Sequence, residues 1–281
     1  MNQTILSLTD FSKNSLIATR YSLELARKMQ ARVHILHAYR PFTSAFQSSS
    51  ANQKDEQQAK INAEKELSEF IDKLGTNLNI PVTSSVTQNN LVEAVNHYIQ
   101  KENICLVVMG AHGASGARLD LLGNNTYDVA RDVSRPLLIV PEQTSSFKLE
   151  NIVFFTDYQQ GDIKSLKSFN ELFDGVLASC TLVHIHEGKD TPTDDDLLTL
   201  TQWKTTLEKE VGINSLSAEI MHVPENIESI NQISSRLKAD MILITLIDSR
   251  PFFEKLLHKS LAKAIILNAQ TPVLLTSEDT E

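Results

Sequence analysis

Among 281 residues there are two cysteines, one tryptophan and nine glycines, and basic residues do not outnumber acidic ones. Each shortage excludes something. Cys105 in "ICLVVMG" and Cys180 in "SCTLVHIH" both fall inside apolar β-rich runs, where a free thiol behaves as a small buried hydrophobe. No disulfide framework is indicated, and a reduced cytoplasm suits both thiols. No apolar run approaches the roughly 20 residues that a membrane-spanning helix needs, so a soluble globular protein without a membrane partner is expected. The opening "MNQTILSLTDFSKNS" has no basic region and meets Asp10 early, which is unlike a secretory signal. The net charge is -9, and its distribution is uneven. Residues 1–142 carry 14 basic and 14 acidic groups, whereas residues 143–281 carry 12 and 21. Broad nucleic-acid binding needs a cationic field, so it is not expected, and the second half is a poor host for a polyphosphate.

What is present is a chain that states its pattern twice. "ILSLTD" (5–10) returns as "IVFFTD" (152–157), and "RVHILHAY" (32–39) as "CTLVHIHE" (180–187), at offsets of 147 and 148 residues. "CLVVMG" (105–110) returns as "MILITL" (241–246) and "RPLLIVPE" (135–142) as "TPVLLTSE" (271–278), each at an offset of 136. The fall in offset means that the second copy is about a dozen residues shorter in its middle. The length suits two domains of ordinary size, 1–142 and 143–281, with "EQTSSFKLE" (142–150) as the linker.

In the first copy the apolar runs 5–8, 33–36, 82–86, 104–109 and 137–140 alternate with longer segments of helical spacing. Ala18, Tyr21, Leu25 and Met29 step by three or four, as one face of a helix does. Strands apolar on both sides and alternating with helices form a mostly parallel sheet covered on both faces, so each copy is expected to be a three-layer α/β domain. A strand order that reverses beside the first strand puts a crevice at the carboxyl ends of strands one and four. Asp10 and the loop beginning at Gly110 fall there. Residues 43–60 are polar and read as a loop giving way to a helix that runs to about residue 74. The acidic "KDTPTDDD" (189–196) reads as a solvated loop with helix-capping groups.

The stretch "MGAHGASGARLDLLGNN" (109–125) concentrates four of the nine glycines behind a strand and ahead of a helix expected near Asn124. Glycines let backbone amides converge on one point, and a helix N-terminus adds partial positive charge, so an anion such as phosphate is the natural guest. Tight turns with nothing bound are the alternative. The common motifs are absent: there is no GxxxxGK[ST], no GxGxxG, and no glycine two places after Ser115 to make a nucleophile elbow.

The spacing glycine, two residues, glycine, nine residues, glycine, small polar residue describes Gly110, Gly113, Gly123 and Asn124, and it resembles the ATP-binding signature of the universal stress protein family. The early "TD", the "LHA" ending strand two and "SRPLLIVP" in the place of the terminal strand agree with that resemblance. It spans 1–142 and, more weakly, 150–278, as in tandem members. The resemblance implies two tandem α/β/α domains of the adenine nucleotide alpha-hydrolase-like class, each with an open five-stranded sheet. It implies that Asp10 contacts the adenine end and that the backbone at Ala38 borders the base. It also implies that Gly110, His112 and Gly113 pass along the ribose and phosphates, and that Gly123, Asn124 and Asn125 serve the phosphates. The ligand would be ATP or another adenine nucleotide, with or without Mg2+. Asn124 stands where the family has serine or threonine; its amide still donates, with a different reach. The terminal strands at 137–140 and 273–276 would pair within the chain as a pseudo-dimer, leaving open a further pairing of two chains.

The second copy fails the same test. Placing 107–125 over 242–260 without a gap sets Thr245 at Gly110, Asp248 at Gly113, His258 at Gly123 and Lys259 at Asn124. Asp248 would face the phosphates, so one nucleotide site is expected, in the first copy. Phe252 and Phe253 read as packing groups in the degenerate loop. His184 and His186 alternate in a strand beside Glu187, but no HExxH follows and no cysteine pair completes a metal site. His34 and His37 read as packed or hydrogen-bonded. Catalysis has little support, since phosphoryl transfer needs metal-binding acids and a positioned base, and the loop offers only His112, Arg118 and Asp120. The expectation is a cytoplasmic nucleotide-responsive stress or regulatory module that acts on a protein partner. A scaffold that binds no nucleotide and a slow ATPase are the alternatives.

Overall fold

A computed structural model describes residues 3–41, 48–75, 79–112, 124–173, 179–186, 191–213, 215–246 and 259–277, with residues 124, 125, 259, 260, 262, 263 and 277 described by their backbone alone. The chain divides into two compact units, Met1–Val133 and Ser134–Glu281.

The first unit runs β1 (Thr4–Leu8), α1 (Lys13–Met29), β2 (Arg32–Ala38), α2 (Ser49–Asp72), β3 (Val82–Thr87), α3 (Leu91–Lys101), β4 (Ile104–Gly110) and α4 (Asn124–Asp132). Its strands lie in the order β3-β2-β1-β4, all parallel. Every residue of β1 is buried, and so is nearly all of β4, which is why both read as unbroken apolar runs rather than as alternating ones. The chain builds outward from β1 through β2 to β3, then returns by α3 to lay β4 on the other side of β1. That reversal is the topological switch point, and it leaves the carboxyl ends of β1 and β4 side by side.

Helix α1 covers this junction. Ala18, Tyr21 and Leu25 are buried as their spacing requires, but so are Asn14, Ser15, Thr19 and Ser22. These polar groups are satisfied locally: Ser7 Oγ lies 3.0 Å from Thr19 Oγ1, and Ser22 Oγ donates to the Ala18 carbonyl at 2.9 Å. Helix α2 begins at Ser49, within the stretch read as a loop giving way to a helix, and of its side chains only Ala63, Leu67 and Phe70 are buried.

The second unit runs β5 (Leu137–Val140), β6 (Asn151–Phe155), α5 (Gln160–Leu172), β7 (Ser179–Ile185), α6 (Asp194–Val211), β8 (Leu216–Met221), α7 (Ile227–Arg236), β9 (Met241–Leu246), α8 (Lys259–Asn268) and β10 (Val273–Ser277). Its strand order is β5-β10-β9-β6-β7-β8, parallel throughout except that β5 meets β10 antiparallel, with Leu138 opposite Leu274. In sequence β5 belongs to the first repeat, yet by contact it groups with the second unit. The stretch from β5 to β6, read in the sequence as a linker, is anchored in that unit too. There Leu149 is buried and Gln143 Nε2 donates to the Ala269 carbonyl at 3.3 Å.

Strand register makes the duplication quantitative. Ile5 faces Val33 and Leu106; Ile152 faces Cys180 and Met241. Strands one and two therefore repeat at 147 residues and strand four at 135. Thr9, Asp10, Phe11, Asn14 and Ser15 thus correspond to Thr156, Asp157, Tyr158, Gly161 and Asp162, and Gly110 corresponds to Thr245. Among the described residues, no helix is long and apolar enough to cross a membrane.

Candidate functional site

The corner between β1 and α1 is built by Thr9. Its backbone N–H donates to the Leu36 carbonyl at 3.0 Å, which extends the β1–β2 pairing by one residue. Its Oγ1 accepts from the Phe11 N–H at 3.0 Å and lies 3.0 Å from Ser15 Oγ. Its carbonyl lies 2.8 Å from His37 Nδ1. A carbonyl only accepts, so Nδ1 carries the imidazole proton. Phe11 has φ of 66°, in the left-handed region that a bulky residue seldom enters. Its ring sits on His37 with centroids 4.1 Å apart and reaches Phe70 of α2 at 5.8 Å. The bond from its own amide and this ring contact hold the strained corner in place.

Asp10 stands at the mouth of the corner, partly buried, with Oδ1 accepting from the Ser12 N–H at 3.1 Å. Ser12 caps α1 by accepting from the Ser15 N–H at 3.1 Å. Ala38 ends β2, opposite Thr87 of β3. Gly110 ends β4, and a Cβ placed on it would lie 2.8 Å from Asn14 Cγ and Oδ1 and 3.1 Å from the Asn14 backbone carbonyl carbon. The absent side chain is therefore required by contact with α1. His112 is exposed, while its N–H donates to Asn14 Oδ1 at 2.8 Å.

Because β1 lies between β2 and β4, the fold gathers Asp10, Ala38, Gly110 and His112 at one edge of the sheet. Asn124 and Asn125 open α4, and their side chains are outside the described residues, as are Gly113 and Gly123 altogether. Asn14 was absent from the sequence-derived site. It is 3% exposed and bonds the segment leaving β4. The polar "DFSKNS" directly after a buried strand was the signal that could have found it.

The same corner recurs in the second unit. Thr156 N–H donates to the Val183 carbonyl at 3.0 Å, and Tyr158 N–H to Thr156 Oγ1 at 3.1 Å. His184 Nδ1 lies 2.9 Å from the Thr156 carbonyl, Tyr158 has φ of 61°, and its ring stands 4.4 Å from His184. Beyond the corner the two diverge. Where the first unit has Ser15 and Gly110, the second has Asp162 and Thr245. Thr156 Oγ1 donates to Asp162 Oδ2 at 2.6 Å and Thr245 Oγ1 donates to Asp162 Oδ1 at 2.8 Å. Trp203 of α6 donates its indole N–H to Thr156 Oγ1 at 3.0 Å. Thr156 Oγ1 thus gives one hydrogen bond and receives two, the full capacity of a hydroxyl.

Asp162 is 3% exposed, and burial pushes its carboxyl up to about 6 against the opposing effect of its two hydroxyl donors. Burial also raises Asp157, opposed by nearby His184, and takes the Tyr158 phenol up to about 12. Asp248, His258, Phe252 and Phe253 lie outside the described residues, and Lys259 is described by its backbone alone. Of the two acids at the second corner, Asp162 is the one without an acidic counterpart in the first. The 147-residue offset that equates it with Ser15 was the available clue.

Two further histidines of the sequence reading, His34 and His186, have neighbours of their own. His34 is bonded through both ring nitrogens, to Thr83 and Ser85 at 2.8 Å each, and burial lowers its pKa. His186 stacks on His222 at 5.5 Å. Among the described residues, no group of three His, Cys, Asp or Glu side chains is placed to hold a metal ion.

Comparison with known proteins agrees with this architecture. A universal stress protein from Archaeoglobus fulgidus DSM 4304 superposes with a TM-score of 0.62 at 15% identity, covering 98% of this chain and 96% of that one. A chain from Pseudomonas aeruginosa UCBPP-PA14 gives 0.59 at 16% identity, covering 98% and 93%. At such identities the likeness is one of fold. No curated protein sequence matches significantly. The family model described as "Universal stress protein family" matches residues 1–141, half of the sequence, and the chain belongs to that family.

Proposed function

We propose that the first domain, residues 1–142, binds ATP or a related adenine nucleotide at the carboxyl ends of β1 and β4, and that residues 143–281 form a degenerate domain that binds none. The observation that carries this reading is the contrast at one position. Gly110 keeps bare backbone at the end of β4, against Asn14, while its counterpart Thr245 adds a side chain bonded to a buried carboxyl group. The glycine-rich stretch that follows Gly110 offers amide donors to a phosphate chain, and the α4 N-terminus supplies further donors and partial positive charge. An acid in the corresponding place repels an anion by roughly 4 kcal/mol at 4 Å and an effective dielectric near 20. That exceeds the roughly 0.3–2 kcal/mol a helix end contributes.

In this reading Asp10 and the backbone at Ala38 meet the adenine end. Gly110, His112 and Gly113 follow the ribose and phosphates, and Gly123, Asn124 and Asn125 serve the phosphates, with Mg2+ as an optional companion. Occupancy favours one arrangement of the glycine loop, and a protein partner reads the difference. The protein is then a cytoplasmic regulatory module, not a dedicated catalyst. Equilibrium dialysis with radiolabelled ATP tests the proposal. One site per chain is expected; two sites per chain, or no binding at millimolar nucleotide, would overturn it.

A further inference from the structure

The contact between Asn14 and Gly110 has a counterpart that changes its meaning. Offsets of 147 and 135 residues, taken from the strand registers, bring Asn14 onto Gly161 and Gly110 onto Thr245. In the first unit the large residue is on the helix and the glycine on the strand; in the second the glycine is on the helix and the branched residue on the strand. The space at this junction admits one side chain, because a Cβ on Gly110 would stand 2.8 Å from Asn14 atoms. By strand register, the two repeats carry the larger residue on opposite sides of the corresponding junction. The occupant also differs in what it holds. Asn14 Oδ1 takes the N–H of His112, two residues past the end of β4, whereas Thr245 Oγ1 turns to Asp162 of its neighbouring helix.

We infer that Asn14 is a positioning residue for the nucleotide site: as the helix-side member of a one-side-chain junction, its amide oxygen fixes the direction in which the chain leaves β4 through His112. Asn14 reaches the ligand through the backbone it holds. The functional half of this inference rests on the nucleotide-binding reading above, while the junction itself does not.

The test combines exchange, stability and binding. Asn14→Ala removes the acceptor, and amide hydrogen exchange at His112 should speed up at least tenfold relative to Leu106 and Val107. Asn14→Asp keeps an acceptor and should preserve the slow exchange. Gly110→Thr alone should lower the thermal midpoint. Adding Asn14→Gly, which recreates the second unit's pair, should recover at least half of that loss; this arm remains informative if Asn14→Ala fails to fold. In dialysis, Asn14→Ala should bind ATP about tenfold more weakly than the unaltered protein. Unchanged His112 exchange in Asn14→Ala, or a double variant that loses the sum of its single losses, would overturn the junction. Equal ATP binding by Asn14→Ala and the unaltered protein would overturn the positioning role. If the unaltered protein binds no ATP, the nucleotide-binding reading falls instead, and the exchange and stability arms still decide the junction.

Discussion

The two units share a corner down to its strained aromatic and the histidine bonded to its threonine carbonyl, and they part company within a few residues of it. In the first, Thr9 meets Ser15 and β4 ends on bare backbone against Asn14. In the second, Thr156 meets Asp162, and Thr245 and Trp203 close a hydrogen-bonded set around it. The scaffold that makes a crevice is therefore separable from the groups that could use it. Strand order and corner geometry survive when the groups change, because they depend on buried apolar strands and on Thr, His and aromatic contacts common to both repeats.

The comparison breaks most easily at the glycine loop. Gly113→Asp copies the residue that the second repeat carries there. The substitution adds roughly 4 kcal/mol of repulsion and leaves the helix-end attraction as it was, so ATP affinity should fall by up to about 1000-fold in a dialysis titration. Undiminished binding would dismantle the correspondence of the two loops.

Next in size is the buried acid. The Asp162 carboxyl is raised to about 6 in the folded chain against 3.8 for the free group, so the folded state binds the proton more tightly than the unfolded state does. Its destabilising contribution is full above pH 6 and fades as pH falls toward 4, and it amounts to about 3 kcal/mol. Denaturant titrations of Asp162→Asn and the parent at several pH values should show the parent gaining on the variant by up to that amount between pH 6 and 4. A constant difference between the two would mean that Asp162 titrates normally.

Smaller effects sharpen the contrast further. Trp203→Phe removes the indole donor to Thr156 Oγ1 and should cost about 1 kcal/mol by denaturant titration, since Thr156 Oγ1 keeps the Tyr158 N–H. At the helix starts, Ser12 caps α1 through its hydroxyl, whereas Gln159 makes no side-chain cap on α5. Ser12→Ala should therefore cost about 1 kcal/mol through the lost cap, whereas Gln159→Ala removes no cap and loses only the Gln159 Nε2 bond to the Asp157 carbonyl, so it should cost less, both read from thermal midpoints.

Much of this was legible in the sequence because it resides in local pattern. Unbroken apolar runs at 5–8 and 104–109 gave buried parallel strands, and the gapless pairing of 107–125 with 242–260 gave the same 135-residue offset that the strand registers show. What escaped was what tertiary contact decides. The pairing of 137–140 with 273–276 was expected, but the grouping of β5 by contact with the second unit was not. Asn14 and Asp162 look like ordinary helix-start residues in sequence; only their burial beside β4 and β9 sets them apart.

The chain has a single tryptophan, and it belongs to the second unit's corner. Indole emission is therefore an optical label that nature has attached to the second unit alone. It reports the loosening of the Thr156–Asp162 cluster directly. A single fluorescence titration therefore follows the folding of that corner without an added probe.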